Sequence, residues 1–374
     1  MATAPSTDGP TTHAFDHVVI GGGILGAATA RSLAARGERV LLLEQHDRGH
    51  VHGSSHGGSR IFRMGYPDAD YVELTLHAWD AWAALESASG RTLLDHTGAV
   101  DHGRPEVVDA IAAALDAAGI AAERLTPAEA AARWPGIAFE GHVLTHATAG
   151  RIRAADALEA LLDLAASAGA DLRFGMRVTE VQDAGDTVTL TLGDGTTVRT
   201  GSVVAAVGAW APTLVGALLA GRGASLPAIR VTQEQPAHFP SHLPDEAWPS
   251  FVHHPADGGG VYGLLTPGEG VKVGFHGTGP VVDPDDRDRT PDAAEVARLQ
   301  AYVERFVPGV DATRPTLISC LYDNSPDEDF VLDRRGPVTV ATGSSGHGFK
   351  FAPLVGEMLA DLAMGGEPHP RFAL

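Results

Sequence analysis

The chain has 374 residues and a net charge of −20, from 27 basic and 47 acidic side chains. That length fits two domains better than one. The 44% apolar share excludes wholesale disorder, and the acidity excludes the concentrated basic face that nucleic acid or an anionic membrane needs.

A single cysteine, Cys320, excludes internal disulfides and a thiolate zinc cluster. No apolar run approaches the ~20 residues of a membrane span. Met1 to Thr12 is polar, with Pro5 and Pro10, and lacks the charged start and apolar stretch of a signal peptide. Residues 1–13 therefore read as a flexible leader on a cytoplasmic protein. All but two of the basic residues are arginine; the exceptions are Lys272 and Lys350. Arginine keeps its proton and carries a planar fork, whereas lysine is a compact charge with a tunable pKa. Positions that kept lysine in so arginine-rich a chain invite a functional reading beside the bland one of chance survival.

In chain order, His17 to Ile20 is a short apolar run of the buried parallel-strand kind. Gly21, Gly23 and Gly26 then give G-x-G-x-x-G, followed by an Ala-rich helix, Ala27 to Ala35, stopped by Gly37. Val40 to Leu43 is a second apolar strand, closed by Glu44. This is a complete βαβ dinucleotide unit. Its glycines permit a tight turn and close approach of backbone to a pyrophosphate. The helix N-terminus offers N–H donors, and Ile24 and Leu25 of the turn count among the candidate cofactor contacts. Glu44, 18 residues after Gly26, can accept from ribose hydroxyls. The competing reading is a Gly-rich turn in an ordinary α/β fold.

His46, His50, His52 and His56 follow in a loop. No cysteine or well-placed aspartate completes a metal site there, so no metal is expected. Val72 to Ala88 reads as a helix with Leu74, Leu76, Trp79, Trp82 and Leu85 as its core stripe. Glu106 to Ala118, Pro127 to Arg133 and Asp156 to Ala168 read as further helices. Gly193-Asp194-Gly195 marks a hairpin. Val203 to Val207 is again a buried strand, and Gly208-Ala209-Trp210 leads into a helix. A polar, strand-rich region from Pro227 to about Pro315 includes Val261 to Leu265 and Val271 to Phe275. A last buried strand, Val338 to Thr342, meets the Gly-rich turn Gly343 to Gly348 and a final helix, about Leu354 to Ala363.

Four stretches together resemble the monomeric sarcosine oxidase and N-methyltryptophan oxidase group of the FAD-dependent amino-acid oxidase superfamily. They are the dinucleotide unit, Gly53 to Arg63 (GSSHGGSRIFR), Val271 to His276 (VKVGFH), and the pair Cys320-Leu321-Tyr322 with Ser345 to Phe351 (SGHGFKF). They occur in the family's order at similar spacing and span nearly the whole chain after the leader.

The resemblance implies an α/β fold: a discontinuous Rossmann-like FAD-binding domain over 14–90, 147–220 and 316–374, with a second mixed-sheet substrate domain from 91–146 and 221–315. It implies FAD, covalently attached through Cys320, and oxidation of a secondary amine bearing a carboxylate, with oxygen as acceptor and hydrogen peroxide as product. Lys272 matches the lysine over the flavin that activates oxygen, Arg60 an arginine close to the flavin, and His276 a substrate-side histidine. Arg63 and Lys350 match the pair that holds the substrate carboxylate; Tyr322 and Tyr262 are aromatic walls. Ser54, Ser59 (where the family commonly has Thr), Gly346, His347, Gly348 and Phe349 join the cofactor's surroundings. The bland alternatives are a buried free thiol at Cys320, a solvated strand lysine at Lys272, a structural histidine at His276, a surface ion pair at Arg63 and core packing at Tyr262. The stretches Phe251 to Gly260 and Leu265 to Gly270 do not match the sarcosine oxidases closely, which leaves the size of the amine open. A monomer acting on a small amine and oxygen is expected. The rival readings are a dehydrogenase of an amino or 2-hydroxy acid with another electron acceptor, and a non-catalytic flavin-binding protein.

Overall fold

His17–Ile20 and Val40–Leu43 are buried at every position, as strands covered by helices on both faces must be. The computed structural model, which describes residues 14–374 apart from 184 and 186, pairs them in parallel, His17 with Val40 through Ile20 with Leu43. They sit inside a six-stranded sheet of order Val331–Arg335, Val338–Thr342, Val203–Ala205, His17–Ile20, Val40–Leu43, Asp171–Arg173. Every pairing in it is parallel except the outermost, Val331–Arg335 with Val338–Thr342. The leader expected over 1–13 lies outside the described residues.

Two alanine-rich helices cover one face. Ile24–Ala35 and Ala352–Ala363 pack against each other so closely that a Cβ on Gly356 would lie 2.6 Å from Ala28. Small side chains are what let two helix backbones approach in this way. The longest helix, Ala69–Ser89, starts on Asp68, whose carboxylate accepts from the Asp70 and Tyr71 N–H groups, and stops on left-handed Gly90. Leu74, Trp82 and Leu85 of its stripe are buried, and Leu76 and Trp79 are partly so.

The second large sheet has eight strands, in the order Thr316–Leu317, Ala237–Phe239, Gly270–Phe275, Val261–Thr266, Ser250–His254, Ala99–Gly103, His142–His146, Glu123–Leu125. It is mixed: Ser250–His254 runs parallel to Ala99–Gly103, and the other pairs are antiparallel. Residues 91–146 and 221–315 thus meet in one sheet. Arg230–Glu234 pairs separately with Cys320–Asn324, setting Glu234 opposite Cys320. Ser59–Phe62, Gly150–Arg153 and Leu94–Asp95 form a further small sheet.

Two boundaries near the cofactor turn differ from expectation. The first helix begins at Ile24, not Ala27, because Ser55 Oγ accepts the Ile24 N–H at 3.0 Å and so supports the helix start from 31 residues away. The strand expected over Val203 to Val207 ends at Ala205, where the chain turns into the short 3-10 segment Gly208–Trp210. The hairpin at Gly193–Gly195 belongs to a three-stranded antiparallel sheet of Val178–Asp183, Val188–Leu192 and Thr197–Thr200.

Candidate active site

One cavity of about 1320 Å³ is lined by residues of both large sheets. The dinucleotide turn contributes Gly21, Gly23, Ile24 and Leu25 to its wall. Gly21 has φ +103, and a Cβ there would lie 2.4 Å from the Ala206 carbonyl oxygen; only glycine fits. Glu44 also lines the cavity and is buried. Its carboxylate accepts from the Gly22 N–H at 2.7 Å and the His46 N–H at 2.9 Å, which locks it across the turn. Gly26 does not line the cavity. A Cβ on it would lie 1.9 Å from the Gly21 carbonyl oxygen, so it lets helix and turn approach rather than facing a ligand. Ser55, quoted within the second motif but not singled out, is the residue that ties that loop to the helix start.

The Gly53–Arg63 stretch wraps the far wall. Ser54 Oγ donates to the Leu321 carbonyl at 2.7 Å, beside Cys320, whose Sγ lies 4.0 Å from the Ser54 carbonyl oxygen. Ser59 Oγ lies 2.5 Å from Thr266 Oγ1, which in turn is 3.0 Å from His238 Nε2. Burial, with Lys272 and Arg60 adding their charge, brings the His238 pKa down to about 4. The Arg60 guanidinium donates to the Ser59, Ser54 and His56 carbonyls and sits 5.3 Å from the Phe349 ring centroid.

Lys272 pairs in register with His238 and Leu264. It is buried and lines the cavity. Among the described residues its ammonium has no hydrogen bond or ion pair. Loss of water, followed by the charge of Arg60, lowers its pKa to about 7. His276 lies just beyond that strand, which ends at Phe275, and also lines the cavity. Burial first, then Arg63 and Lys350, holds it neutral with a pKa of about 4.

Arg63 and Lys350 are 287 positions apart and meet on one side chain, Tyr66. Lys350 Nζ donates to Tyr66 Oη at 2.8 Å and to the His347 carbonyl at 3.0 Å. The Arg63 guanidinium lies 4.8 Å from the Tyr66 ring centroid. Burial, then Arg63, pushes the Lys350 pKa well down. Arg63 does have an acidic neighbour that its motif does not contain. Asp101 Oδ1 is 3.7 Å from Arg63 Nη1 and 3.2 Å from His254 Nε2. Tyr322 and Tyr262 both line the cavity, and burial raises the pKa of both phenols. A Cβ on Gly346 would lie 2.2 Å from the Tyr322 ring, so the turn Gly343–Gly348 folds onto that tyrosine. His347, Gly348 and Phe349 complete this wall.

The family described as FAD dependent oxidoreductase matches residues 16–362. The chain belongs to that family. It is 36% identical to a monomeric sarcosine oxidase of Streptomyces avermitilis, over 95% of each chain. It is 34% identical to the human peroxisomal sarcosine oxidase, over 94% of this chain and 92% of that one, and 29% identical to an N-methyl-L-tryptophan oxidase of Salmonella agona, over 95% and 96%. Among solved structures, NikD, an unusual amino acid oxidase essential for nikkomycin biosynthesis, superposes with a TM-score of 0.84 at 30% identity, over 97% of this chain and 98% of that one.

The residues of this FAD-dependent oxidoreductase fit the cofactor. The cavity exceeds the ~300–1,000 Å³ of ordinary small-ligand pockets. It offers a glycine turn at a helix start for a pyrophosphate and, at Lys272, a buried ammonium with no partner among the described residues. Among the described residues no helix is long and apolar enough to cross a membrane.

The Lys272 environment is directly measurable. Two lysines give two 13Cε signals in lysine-labelled apoprotein. The signal lost in Lys272→Met is expected to titrate near pH 7, because burial disfavours the charged ammonium. A midpoint near the model-peptide value of ~10.4 would contradict the desolvated placement.

Proposed function

We propose that this protein is an oxidase of a secondary amine bearing a carboxylate, with oxygen as electron acceptor. The observation that carries the reading is the convergence of Arg63 and Lys350 on Tyr66 in the same cavity as Lys272 and Cys320. Two cations answered by the single carboxylate of Asp101 leave room for one more negative charge. The relatives named for sarcosine and N-methyl-L-tryptophan support a secondary amino acid.

Arg63 and Lys350 hold the substrate carboxylate, a planar fork and a point charge making a good anion clamp. Tyr66 fixes their separation. Neutral His276 sits beside them without adding charge, so the amine enters a wall that favours its unprotonated form. Tyr262 and Tyr322 close the apolar side. Overall the amine loses two electrons and two protons to give an imine, oxygen gains both to give hydrogen peroxide, and water converts a linear imine into amine and aldehyde. FAD, held by the Gly21–Leu25 turn, Glu44, Ser54, Ser59, Arg60 and Gly346–Lys350, supplies the two-electron carrier when bound. Lys272 places positive charge where oxygen becomes negative on accepting its first electron. Cys320 would hold the cofactor covalently, an S–C bond replacing its S–H and a C–H of the flavin while two electrons and two protons pass to oxygen; its thiol lines the cavity from a strand paired with Arg230–Glu234.

Anaerobic bleaching of the bound FAD tests the reading. N-methyl amino acids should bleach it, and their decarboxylated analogues far less. Arg63→Ala should cost carboxylate substrates roughly 30-fold or more in kcat/KM while barely changing the decarboxylated amines. Equal losses on both would remove the clamp. Bleaching by 2-hydroxy acids alone would favour the dehydrogenase, and no bleaching by any donor would favour a binding protein.

Acid precipitation tests the attachment. The wild-type pellet is expected to stay yellow, and the Cys320→Ala pellet to be colourless. Complete release of FAD from the wild type would show that Cys320 carries no cofactor.

A further inference from the structure

We propose that Arg104 forms a second anion subsite, so that the amine substrate is an amino acid with a second carboxylate on its side chain. The inference rests on the oxidase reading and narrows its substrate class. Arg104 lies outside all four motifs. It follows the strand Ala99–Gly103 and precedes the helix Pro105–Ala117. Its backbone N–H donates to the His254 carbonyl at 2.8 Å, which fixes it at the end of the strand pair that carries Asp101 and His254.

Its side chain lines the catalytic cavity. Its Nε is buried without a hydrogen-bond partner. No carboxylate among the described residues forms an ion pair with it. Of the acids that line the cavity, Asp68 and Asp329 are engaged by Arg371, Asp285 by Arg177 and Glu44 by backbone N–H groups; Asp101, which is not part of that lining, is engaged by Arg63 and His254. A guanidinium at the start of a helix is also in the wrong-signed end of the helix field, so its own surroundings do not offset the cost of its charge. An anionic ligand group would.

The room beside it fits a side chain with a carboxylate. Val252 and His254, on alternate positions of one strand, face the cavity, as do Gly259 and Gly260. A Cβ on Gly259 would meet nothing within 4 Å. The His276 N–H donates to the Gly260 carbonyl at 2.9 Å, so this wall runs directly into the Arg63–Lys350 end. Arg104 follows directly on the strand that carries Asp101, whose carboxylate lies 3.7 Å from Arg63 Nη1. The clamp and Arg104 are thus tied to one strand, and a small molecule with two carboxylates can offer one to each arginine. These residues fall in the Phe251–Gly260 stretch that departs from the sarcosine oxidases and in the strand it pairs with.

The test compares N-methyl-L-glutamate with N-methyl-L-glutamine, which has the same shape without the second charge, on the FAD-loaded enzyme. The wild type is expected to prefer the glutamate by at least ~30-fold in kcat/KM, and Arg104→Met to lower that preference by a similar factor. Arg104→Lys should retain part of it. Calorimetric binding of glutarate against its monoamide should show the same loss in Arg104→Met without relying on turnover. A wild-type preference near one, or a preference that Arg104→Met leaves intact, overturns the subsite. If N-methylglycine reduces the bound FAD and the preference is still absent, the subsite alone fails. If no N-methyl amino acid reduces it, the oxidase reading falls and the subsite with it.

Discussion

Positive charge taken out of water without matching negative charge is the constraint on which this site depends. Lys272 has no partner among the described residues, Lys350 has only the neutral oxygens of Tyr66 and His347, and Arg60 has only backbone carbonyls. In a chain of net charge −20, leaving these cations without carboxylates is not for want of acids. Desolvation pulls the pKa of both lysines down, which limits the cost to folding. His276 and His238 stay neutral beside them, adding polarity without repulsion.

The two sheets exist, for this purpose, to hold that charge in place. The parallel sheet presents the glycine turn, and Glu44 spans it through two backbone donors. The mixed sheet sets Lys272 opposite His238. The chain Ser59–Thr266–His238 then joins the Gly53–Arg63 loop to the strand beside Lys272. Cys320 sits on a strand belonging to neither large sheet, at the seam where Ser54 crosses. Several groups of the site are thus fixed by contacts between distant segments, while Arg60 is held by carbonyls of its own loop.

Much of this was legible in the sequence wherever the physics is local. Continuous apolar runs flanking G-x-G-x-x-G read as parallel strands because burial on both faces removes alternation. The scarcity of lysine drew attention to Lys272 and Lys350, and both line the cavity. What could not be read is what depends on tertiary pairing. Tyr66 joins Arg63 to Lys350 only once the first and last segments meet. Ser55 and the first helix, and Asp101 and Arg63, are linked the same way. One signal was available: Ala99–Gly103 is buried throughout, yet holds Asp101 and His102, and charge within a buried strand calls for a partner. Gly26 shows the opposite failure, since its motif suggests ligand contact while the space around it demands only the absence of a side chain.

Stopped-flow reoxidation of the reduced Lys272→Met holoenzyme bears most directly on the claim that a buried, unpaired ammonium does the chemical work. The substitution keeps the approximate length and removes the charge. The account predicts that reaction with oxygen slows by at least ~100-fold, about 2.7 kcal/mol of lost charge stabilisation, while anaerobic reduction by the amine changes less. A reoxidation rate equal to that of the wild type would contradict it.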